Sequence, residues 1–380
     1  MAIPYGRQTI EDDDVEAVVE ALRGEWLTQG PTVAAFEEDF ASACGAPHAV
    51  AFSSGTAALH GAAFAAGVGP GDELITSALT FAASANCGAY LGATPRFADI
   101  DPRTWNVGVD TVTAVVTERT RAVVPVHFAG LPAPIAGLRA ALPDRVRLIE
   151  DAAHALGAVD DGDPVGSCAH ADMAVFSLHP VKAIATGEGG MVTTRDPELA
   201  DRLRLFRSHG LTKDPQRLTR ADGPWYQEQH ELGFNYRLTD IQSALGRSQL
   251  RKLERFVARR NEIADRYRDA FATEDAVELP PAAPAGSLHA YHLFVVRTRA
   301  GAEARMRVYD GLREREIFPQ VHYSPVYWHP WYAQTFGYRE GLCPNAEAYY
   351  HGCLSLPCFP TLREDEQARV IDAVGEVLAG

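Results

Sequence analysis

Short runs of β-branched and apolar residues alternate with alanine-rich stretches through the first half of this chain. Strands are predicted over residues 48–52, 73–77, 94–100, 121–128, 145–151, 173–178 and 190–194. The stretch TAALHGAAFAAG at 56–67 is typical of the helices predicted between them. Strands that alternate with helices predict an α/β domain with a mostly parallel sheet. Such sheets bind ligands at the carboxyl ends of their strands.

The pattern changes after residue 239. Apolar residues recur at helical spacing over 239–271, which predicts one helix about 50 Å long that leads into a second domain. The remainder offers a strand at 289–296, a helix-to-strand unit at 311–323 and an amphipathic helix at 364–378. We therefore expect a large α/β domain over 1–250 and a smaller α+β domain over 251–380.

Composition narrows the class of protein. Hydrophobic residues make up 46% of the 380 residues, charged residues make up 22%, and the formal net charge is -15. This acidic balance argues against nucleic-acid and anionic-membrane partners, because both need a basic surface. The uncharged stretch 75–95 contains Thr, Ser, Asn and two Gly, so it favours a buried core segment over a membrane span.

The six cysteines lack metal-site spacing, and the N-terminus lacks a signal-peptide pattern. These features predict reduced thiols, a cytoplasmic location and no metal.

Three polar sites follow predicted strands. Ser54, Gly55 and Thr56 open a helix, where backbone N–H groups bind phosphate; a helix cap and turn is the alternative. Asp151 ends an apolar strand, either as a carboxylate at the ligand edge or as a cap or ion-pair partner. His154, three residues on, is equally consistent with a core histidine.

Lys182 lies between a strand that ends near Ser177 and a turn of three glycines, in the stretch FSLHPVKAIATGEGG. A phosphate cradle, a strand-end aspartate and a lysine in an apolar turn are together what pyridoxal 5′-phosphate requires. The lysine supplies the amine for a Schiff base, and burial lowers its pKa. The carboxylate pairs with the pyridine nitrogen and keeps the ring an electron sink.

Eight ordered stretches carry a resemblance that covers nearly the whole chain. They are LTQGPTVAAFEEDFA, SSGTAALH, LTFAASAN, EDAAHALGA, FSLHPVKAIATGEGGMVTT, FRSHGL, LGFNYRLTDIQSALGRSQL and QVHYSPVY. In this order they resemble the sugar aminotransferases of the DegT/DnrJ/EryC1/StrS family. The resemblance implies the type I fold of pyridoxal-phosphate-dependent transferases, which is like that of aspartate aminotransferase. SHGLTKD, QVHYSPVYWHPWY and SLPCF are most similar to the branch that makes UDP-4-amino-4,6-dideoxy-N-acetyl-β-L-altrosamine, in the pseudaminic acid pathway.

The resemblance implies roles for particular residues. Lys182 and Asp151 match the catalytic pair of the family. The cofactor-contacting positions fall on Ser54, Gly55, Thr56, Phe81, Asp151, His154, Ser177, Lys182 and Asn235. Phe81 would pack on the cofactor ring, with Ala153 or His154 on the other face. The family asparagine at Asn235 reaches the phosphate of the neighbouring subunit, so the resemblance implies a homodimer with shared sites; a turn residue is the alternative there.

The substrate side is matched by six further positions, namely Tyr5, Thr28, Gln29, Arg237, His322 and Tyr323. For His322 and Tyr323, core packing on an edge strand is the alternative. Tyr327, Trp328 and Trp331 are predicted first as core, with a dimer contact or a nucleotide platform left open.

The resemblance implies a two-stage transamination. An amino acid, by resemblance L-glutamate, gives its amino group to the cofactor, and the keto carbon, by resemblance C4, of a nucleotide-linked keto-deoxysugar then receives it. The alternatives are a cyclitol or antibiotic-precursor ketone as acceptor, or a sugar dehydratase. Relatives that act as 3-dehydratases carry histidine in place of the lysine, which disfavours the last reading.

Overall fold

The structure is a computed structural model, and it describes residues 2–220 and 222–379. The strands are β1 (Ile3–Pro4), β2 (His48–Phe52), β3 (Glu73–Ser77), β4 (Thr94–Ala98), β5 (Thr120–Val124), β6 (Arg147–Asp151), β7 (Val159–Asp160), β8 (Asp163–Pro164), β9 (Met173–Ser177), β10 (Gly190–Thr194), β11 (Leu211–Thr212), β12 (Glu228–Gln229), β13 (Val277–Glu278), β14 (Phe294–Thr298), β15 (Ile317–Phe318) and β16 (Cys353–Leu356).

Helices connect these strands. They are α1 (Asp12–Arg23), α2 (Pro31–Cys44), α3 (Gly55–Ala65), α4 (Ala83–Ala89), α5 (Val109–Thr113), α6 (Ile135–Ala141), α7 (Pro197–Arg207), α8 (Asp240–Leu250), α9 (Leu253–Ala270), α10 (Gly301–Glu314), α11 (Pro330–Phe336), α12 (Pro344–Gly352) and α13 (Glu364–Ala379). Short 3₁₀ turns cover Phe128–Gly130 and Val326–Trp328.

A central sheet of seven strands has the spatial order β2-β10-β9-β6-β5-β3-β4. All neighbouring pairs are parallel except the two that β10 makes, with β2 and with β9. The predicted α/β class with a mostly parallel sheet is therefore confirmed. Each of the seven predicted strands is present, although four of them are shorter or shifted at their ends. Strand β5, for example, ends at Val124, and Phe128–Gly130 form a turn in which Ala129 has a φ of 58°.

Helix α3 follows β2 directly because Ser54 caps it. The Ala57 N–H donates to the Ser54 hydroxyl at 3.1 Å. Alanines on α3 pack against the sheet with apolar residues of α7, such as Leu203 and Phe206, to form one core cluster. Phe36 and Phe40 of α2 pack in a second cluster, together with Phe176 and Met191 of the sheet. These two apolar clusters cover the faces of the sheet, whereas the edge at the carboxyl ends of its strands stays open to ligands.

The prediction of a single helix over 239–271 is wrong. Helices α8 and α9 are separate, because the helical conformation is interrupted at Arg251 and Lys252. The break lets the Lys252 side chain turn into a cluster of carboxylates. Its Nζ lies 2.6 Å from an oxygen of Asp13 and 2.7 Å from one of Asp14. A buried ammonium needs such partners, and this need outweighs the local helical pattern.

The C-terminal part holds an antiparallel sheet of β13, β14 and β16, flanked by α10, α12 and α13. The chain's beginning joins this part, because β1 pairs in parallel with β15 and Ile3 packs in the C-terminal core. The division at residue 250 stays a prediction.

All six cysteines are buried and free of disulfides. Within residues 2–220 and 222–379, no helix is long and apolar enough to cross a membrane. The same described residues contain no cluster of His, Cys, Asp or Glu suited to a metal ion.

Candidate active site

A cavity of about 480 Å³ lies at the carboxyl edge of the central sheet. It gathers most of the residues that the sequence singled out, namely Tyr5, Ser54, Gly55, Thr56, Phe81, Asp151, His154, Ser177, Lys182, His322 and Tyr323. They come from the ends of β2, β6 and β9, from the loop before α4, and from segments at both ends of the chain. Residues far apart in sequence therefore meet in one concave site.

One end of the cavity is suited to a phosphate. The N-terminus of α3 faces it, and the first N–H groups of a helix have no partner within the helix. Glycine is required here for close approach. A Cβ on Gly55 would lie 2.9 Å from the Cβ of Ser177, and a Cβ on Gly190 would lie 2.4 Å from the Ser54 carbonyl oxygen. The serine hydroxyls and the helix N–H groups thus crowd into a small polar pocket.

Lys182 lies in the turn after β9 and lines the cavity. Its pKa is lowered to about 8, first because the amine is desolvated. The Asp151 carboxylate opposes this shift, and the Arg260 guanidinium adds to it. A lysine amine with this pKa is available as a nucleophile or a base near neutral pH.

Asp151 ends β6 with its carboxylate almost fully buried. One oxygen accepts the Ala153 N–H at 3.1 Å, and the other accepts the Ser84 hydroxyl at 2.6 Å. These contacts fix the orientation of the carboxylate on the wall of the cavity.

Neutral histidines line the far side. Burial lowers the pKa of His154 well below 6.5, and it lowers the pKa of His322 to about 3; the Lys182 charge adds to both shifts. The Ala129 N–H donates to Nδ1 of His154 at 3.3 Å, so the ring proton of neutral His154 must lie on Nε2. That nitrogen is 3.4 Å from the Tyr323 hydroxyl. His154 therefore offers a donor, not a charge, to this side of the cavity.

Four predicted residues lie outside this cavity. Gln29 and Arg237 line a separate cavity of about 240 Å³, together with Arg207 and Ser208. Asn235 is exposed and forms a β-bridge with Ser208, and Thr28 forms one with Thr239. A single chain thus does not bring these four residues to Lys182.

Not every residue that lines the site was singled out from the sequence. Thr80 and Ser84 line the cavity, and Ser84 contacts Asp151 directly. A signal for them existed, because the two hydroxyl residues are four positions apart in an otherwise apolar stretch, which places them on one side of a helical turn.

A second, open cavity of about 640 Å³ adjoins the first, since Phe81 lines both. Its other lining residues include Asn86, Tyr90, Trp331 and Tyr332. Of the three aromatic residues predicted first as core, Tyr327 is fully buried, whereas half of the Trp331 surface is exposed beside this cavity.

The whole chain also matches known proteins. The sequence profile of the DegT/DnrJ/EryC1/StrS aminotransferase family matches residues 8–375. The chain belongs to this family. The spore coat polysaccharide biosynthesis protein SpsC of Bacillus subtilis is 42% identical to this aminotransferase over 100% of the chain and 97% of its own length.

Solved structures agree with the sequence match. Helicobacter pylori PseC, an aminotransferase involved in the biosynthesis of pseudoaminic acid, superposes with a TM-score of 0.92 at 30% identity over 100% of both chains. Spr1654 of Streptococcus pneumoniae, solved in a PLP form, superposes with a TM-score of 0.91 at 28% identity over 100% of this chain and 99% of its own. The predicted fold type of this aminotransferase is thereby confirmed.

Proposed function

We propose that this aminotransferase uses pyridoxal 5′-phosphate to move an amino group from an amino acid, L-glutamate by preference, to the C4 keto carbon of a nucleotide-linked deoxysugar. One observation carries the cofactor assignment. A lysine with a pKa of about 8, a fixed strand-end carboxylate and a helix N-terminus all face one cavity. Aminotransferases of this family depend on pyridoxal phosphate, and Spr1654 has been solved with it.

The residues present fit the cofactor at both of its ends. Ser54, Gly55, Thr56 and Ser177 would hold the phosphate, because hydroxyls and free helix N–H groups converge there. Asp151 would pair with the pyridine nitrogen at the opposite end. When bound, the cofactor supplies an aldehyde and an electron-withdrawing ring.

Residues of the chain would then bind the cofactor and transfer protons. Lys182 would bind the aldehyde and, once displaced by the donor amine, would take the α-proton from the donor and return it to the cofactor carbon that had carried the aldehyde. Asp151 would stabilise the positive charge on the ring nitrogen. Phe81 and His154 would confine the ring, and the neutral His154 would donate from Nε2 to an acceptor oxygen.

The acceptor assignment rests on relatives and on space. PseC acts in pseudoaminic acid biosynthesis, and SpsC acts in spore coat polysaccharide biosynthesis. The open cavity next to Phe81 offers room beyond the cofactor site, and its aromatic side chains are suited to stacking on the base of a nucleotide. Tyr5, His322 and Tyr323 line the first cavity and would contact the sugar there.

We further propose a homodimer in which Asn235, Arg237, Thr28 and Gln29 act on the partner's site. Their distance from the Lys182 cavity of their own chain supports this assignment. Arg237 is half-buried and has no ion pair within the described residues, so its charge is free for an anionic substrate group.

The first test is an absorption spectrum of the purified protein with pyridoxal phosphate, before and after L-glutamate. We expect a yellow band that glutamate bleaches, and no such band in Lys182→Ala. A colourless wild type would contradict the cofactor assignment. A band that glutamate leaves unchanged would contradict the donor.

The second test supplies the aminated enzyme with a panel of acceptors and identifies products by mass spectrometry. We expect the amino product from nucleotide-linked 4-keto sugars. Amination of keto-cyclitols alone, or loss of water without amination, would contradict the proposed acceptor.

A further inference from the structure

A chain of buried hydroxyls lies behind Asp151. The Thr80 hydroxyl is 2.6 Å from the Ser84 hydroxyl, which is 2.6 Å from Oδ2 of Asp151. The exposed fractions of these three residues are 3%, 0% and 4%. Contacts this short between buried oxygens mark strong hydrogen bonds, and the second of them involves a carboxylate.

The direction of each hydrogen bond follows from counting protons. The Ser84 hydroxyl lies 2.6 Å from Oδ2 of Asp151 and 3.2 Å from the Phe81 carbonyl oxygen, and both of these atoms only accept. The shorter contact, to a charged acceptor, takes the single Ser84 proton. Thr80 must then donate to Ser84. The other Asp151 oxygen accepts the Ala153 N–H. Donors thus point toward the carboxylate from both sides and stabilise its negative charge.

Ser84 also contacts the backbone of Phe81, at the entrance of the cavity. Its backbone N–H donates to the Phe81 carbonyl at 3.2 Å, in the turn that leads into α4. Phe81 is 61% exposed and lines both cavities. A single residue therefore links the carboxylate inside the cavity to the aromatic ring at its entrance.

We propose that Ser84 and Thr80 are positioning residues, which orient the Asp151 carboxylate toward the ring nitrogen of the cofactor and stabilise its negative charge. This inference rests on the proposed function. Thr80 acts through Ser84, and Ser84 acts through Asp151. Because Thr80 is one hydrogen bond further from the carboxylate than Ser84, removing its hydroxyl should weaken cofactor binding less than removing that of Ser84.

The test compares Ser84→Ala, Thr80→Val and Thr80→Ser with Thr76→Val. Thr76 is the matched control, because its buried hydroxyl donates to the Val124 carbonyl at 2.8 Å and, within the described part of the chain, forms no hydrogen bond with Asp151. The first measurement is the dissociation constant for pyridoxal phosphate. The second is the ¹⁵N chemical shift of labelled cofactor, which reports whether the ring nitrogen carries its proton.

We expect Ser84→Ala to raise the dissociation constant roughly 10-fold, the size expected for losing a hydrogen bond to a charged group. Thr80→Val should raise it about 3-fold, as for a neutral bond. The ¹⁵N shift should move toward the unprotonated value in both variants. Thr80→Ser, which restores the hydroxyl, and Thr76→Val should match the wild type.

Equal constants and unchanged ¹⁵N shifts in Ser84→Ala, Thr80→Val and Thr76→Val would overturn the inference and leave the proposed function intact. If Ser84→Ala does not fold, the Thr80 pair decides in the same way. A wild-type chain that binds no pyridoxal phosphate would instead contradict the proposed function, and this inference with it.

Discussion

The reactivity of Lys182 is the property that the structure predicts most sharply. The chain has only three lysines, Lys182, Lys213 and Lys252, so each can be followed separately. Lys252 is enclosed by acidic side chains. Burial lowers its pKa, but hydrogen bonds and charges from Asp13 and Asp14 outweigh burial and raise it. Lys182 should therefore react near neutral pH, whereas Lys252 should not.

The magnitude follows from the pKa of about 8. At pH 7 about 9% of Lys182 would be the free amine, compared with about 0.04% for a lysine at the reference pKa of about 10.4. Above pH 8 the free-amine fraction of Lys182 levels off. The reference lysine continues to gain about tenfold for each pH unit.

The assay is competitive acylation of the cofactor-free protein by a small neutral reagent, with a model lysine amide in the same tube. Mass spectrometry gives the extent of modification at each lysine. The ratio of Lys182 to the model amine should be constant below pH 8 and should fall steeply between pH 8 and pH 10. Normalising to the model amine removes any effect of pH on the reagent.

A second variant tests the cause of the shift. The Asp151 carboxylate raises the pKa of Lys182 against the effect of burial. Asp151→Asn should therefore move the break in the ratio to lower pH. A ratio that stays flat to pH 10 in the wild type, or a break that moves upward in Asp151→Asn, would refute the reasoning.

Three further outcomes are expected. Gly55→Ala should weaken cofactor binding and lower the free energy of unfolding by about 1–3 kcal/mol, since its Cβ would lie 2.9 Å from the facing serine; Gly375→Ala, in open space on a helix, should raise it by about 0.5–1 kcal/mol in the same melts. Mixing inactive Lys182→Ala and Asn235→Ala subunits should restore activity if the asparagine serves the partner's site, and should restore none if it serves its own. Burial lowers the pKa of His60 from 6.5 to about 4; its contribution to stability is complete above pH 6.5 and is lost as the pH falls toward 4, so His60→Phe should flatten the fall of Tm over that range.

Much of the site could be predicted because strand ends and turns have local signals. Asp151 and Ser177 are the last residues of two five-residue strands, and parallel strands bring such ends to one edge. Gly187, Gly189 and Gly190, which follow Lys182, predict a turn. These signals lie within a few residues of the groups they concern.

Other features depend on distant partners. The break at Lys252 exists because Asp13 and Asp14 lie beside it, some 240 positions earlier in the sequence, and no pattern around 252 reports them. The spacing of Thr80 and Ser84 indicates that the two hydroxyls share one side of a turn, but nothing near Ser84 in the sequence indicates Asp151, which β6 places beside it. Local propensity cannot report a contact that only the tertiary fold creates.

The pairing of β1 with β15 has a consequence for how the protein matures in the cell. Tyr5 reaches the cavity from a segment held by residues near the other end of the chain, since its carbonyl accepts the Cys358 N–H at 3.0 Å and Ile3 pairs with Ile317. A ribosome releases the first of these residues hundreds of peptide bonds before the last. The wall of the cavity that carries Tyr5 therefore closes only after Cys358 has been synthesised, and a nascent chain that stops before this residue holds an incomplete pocket.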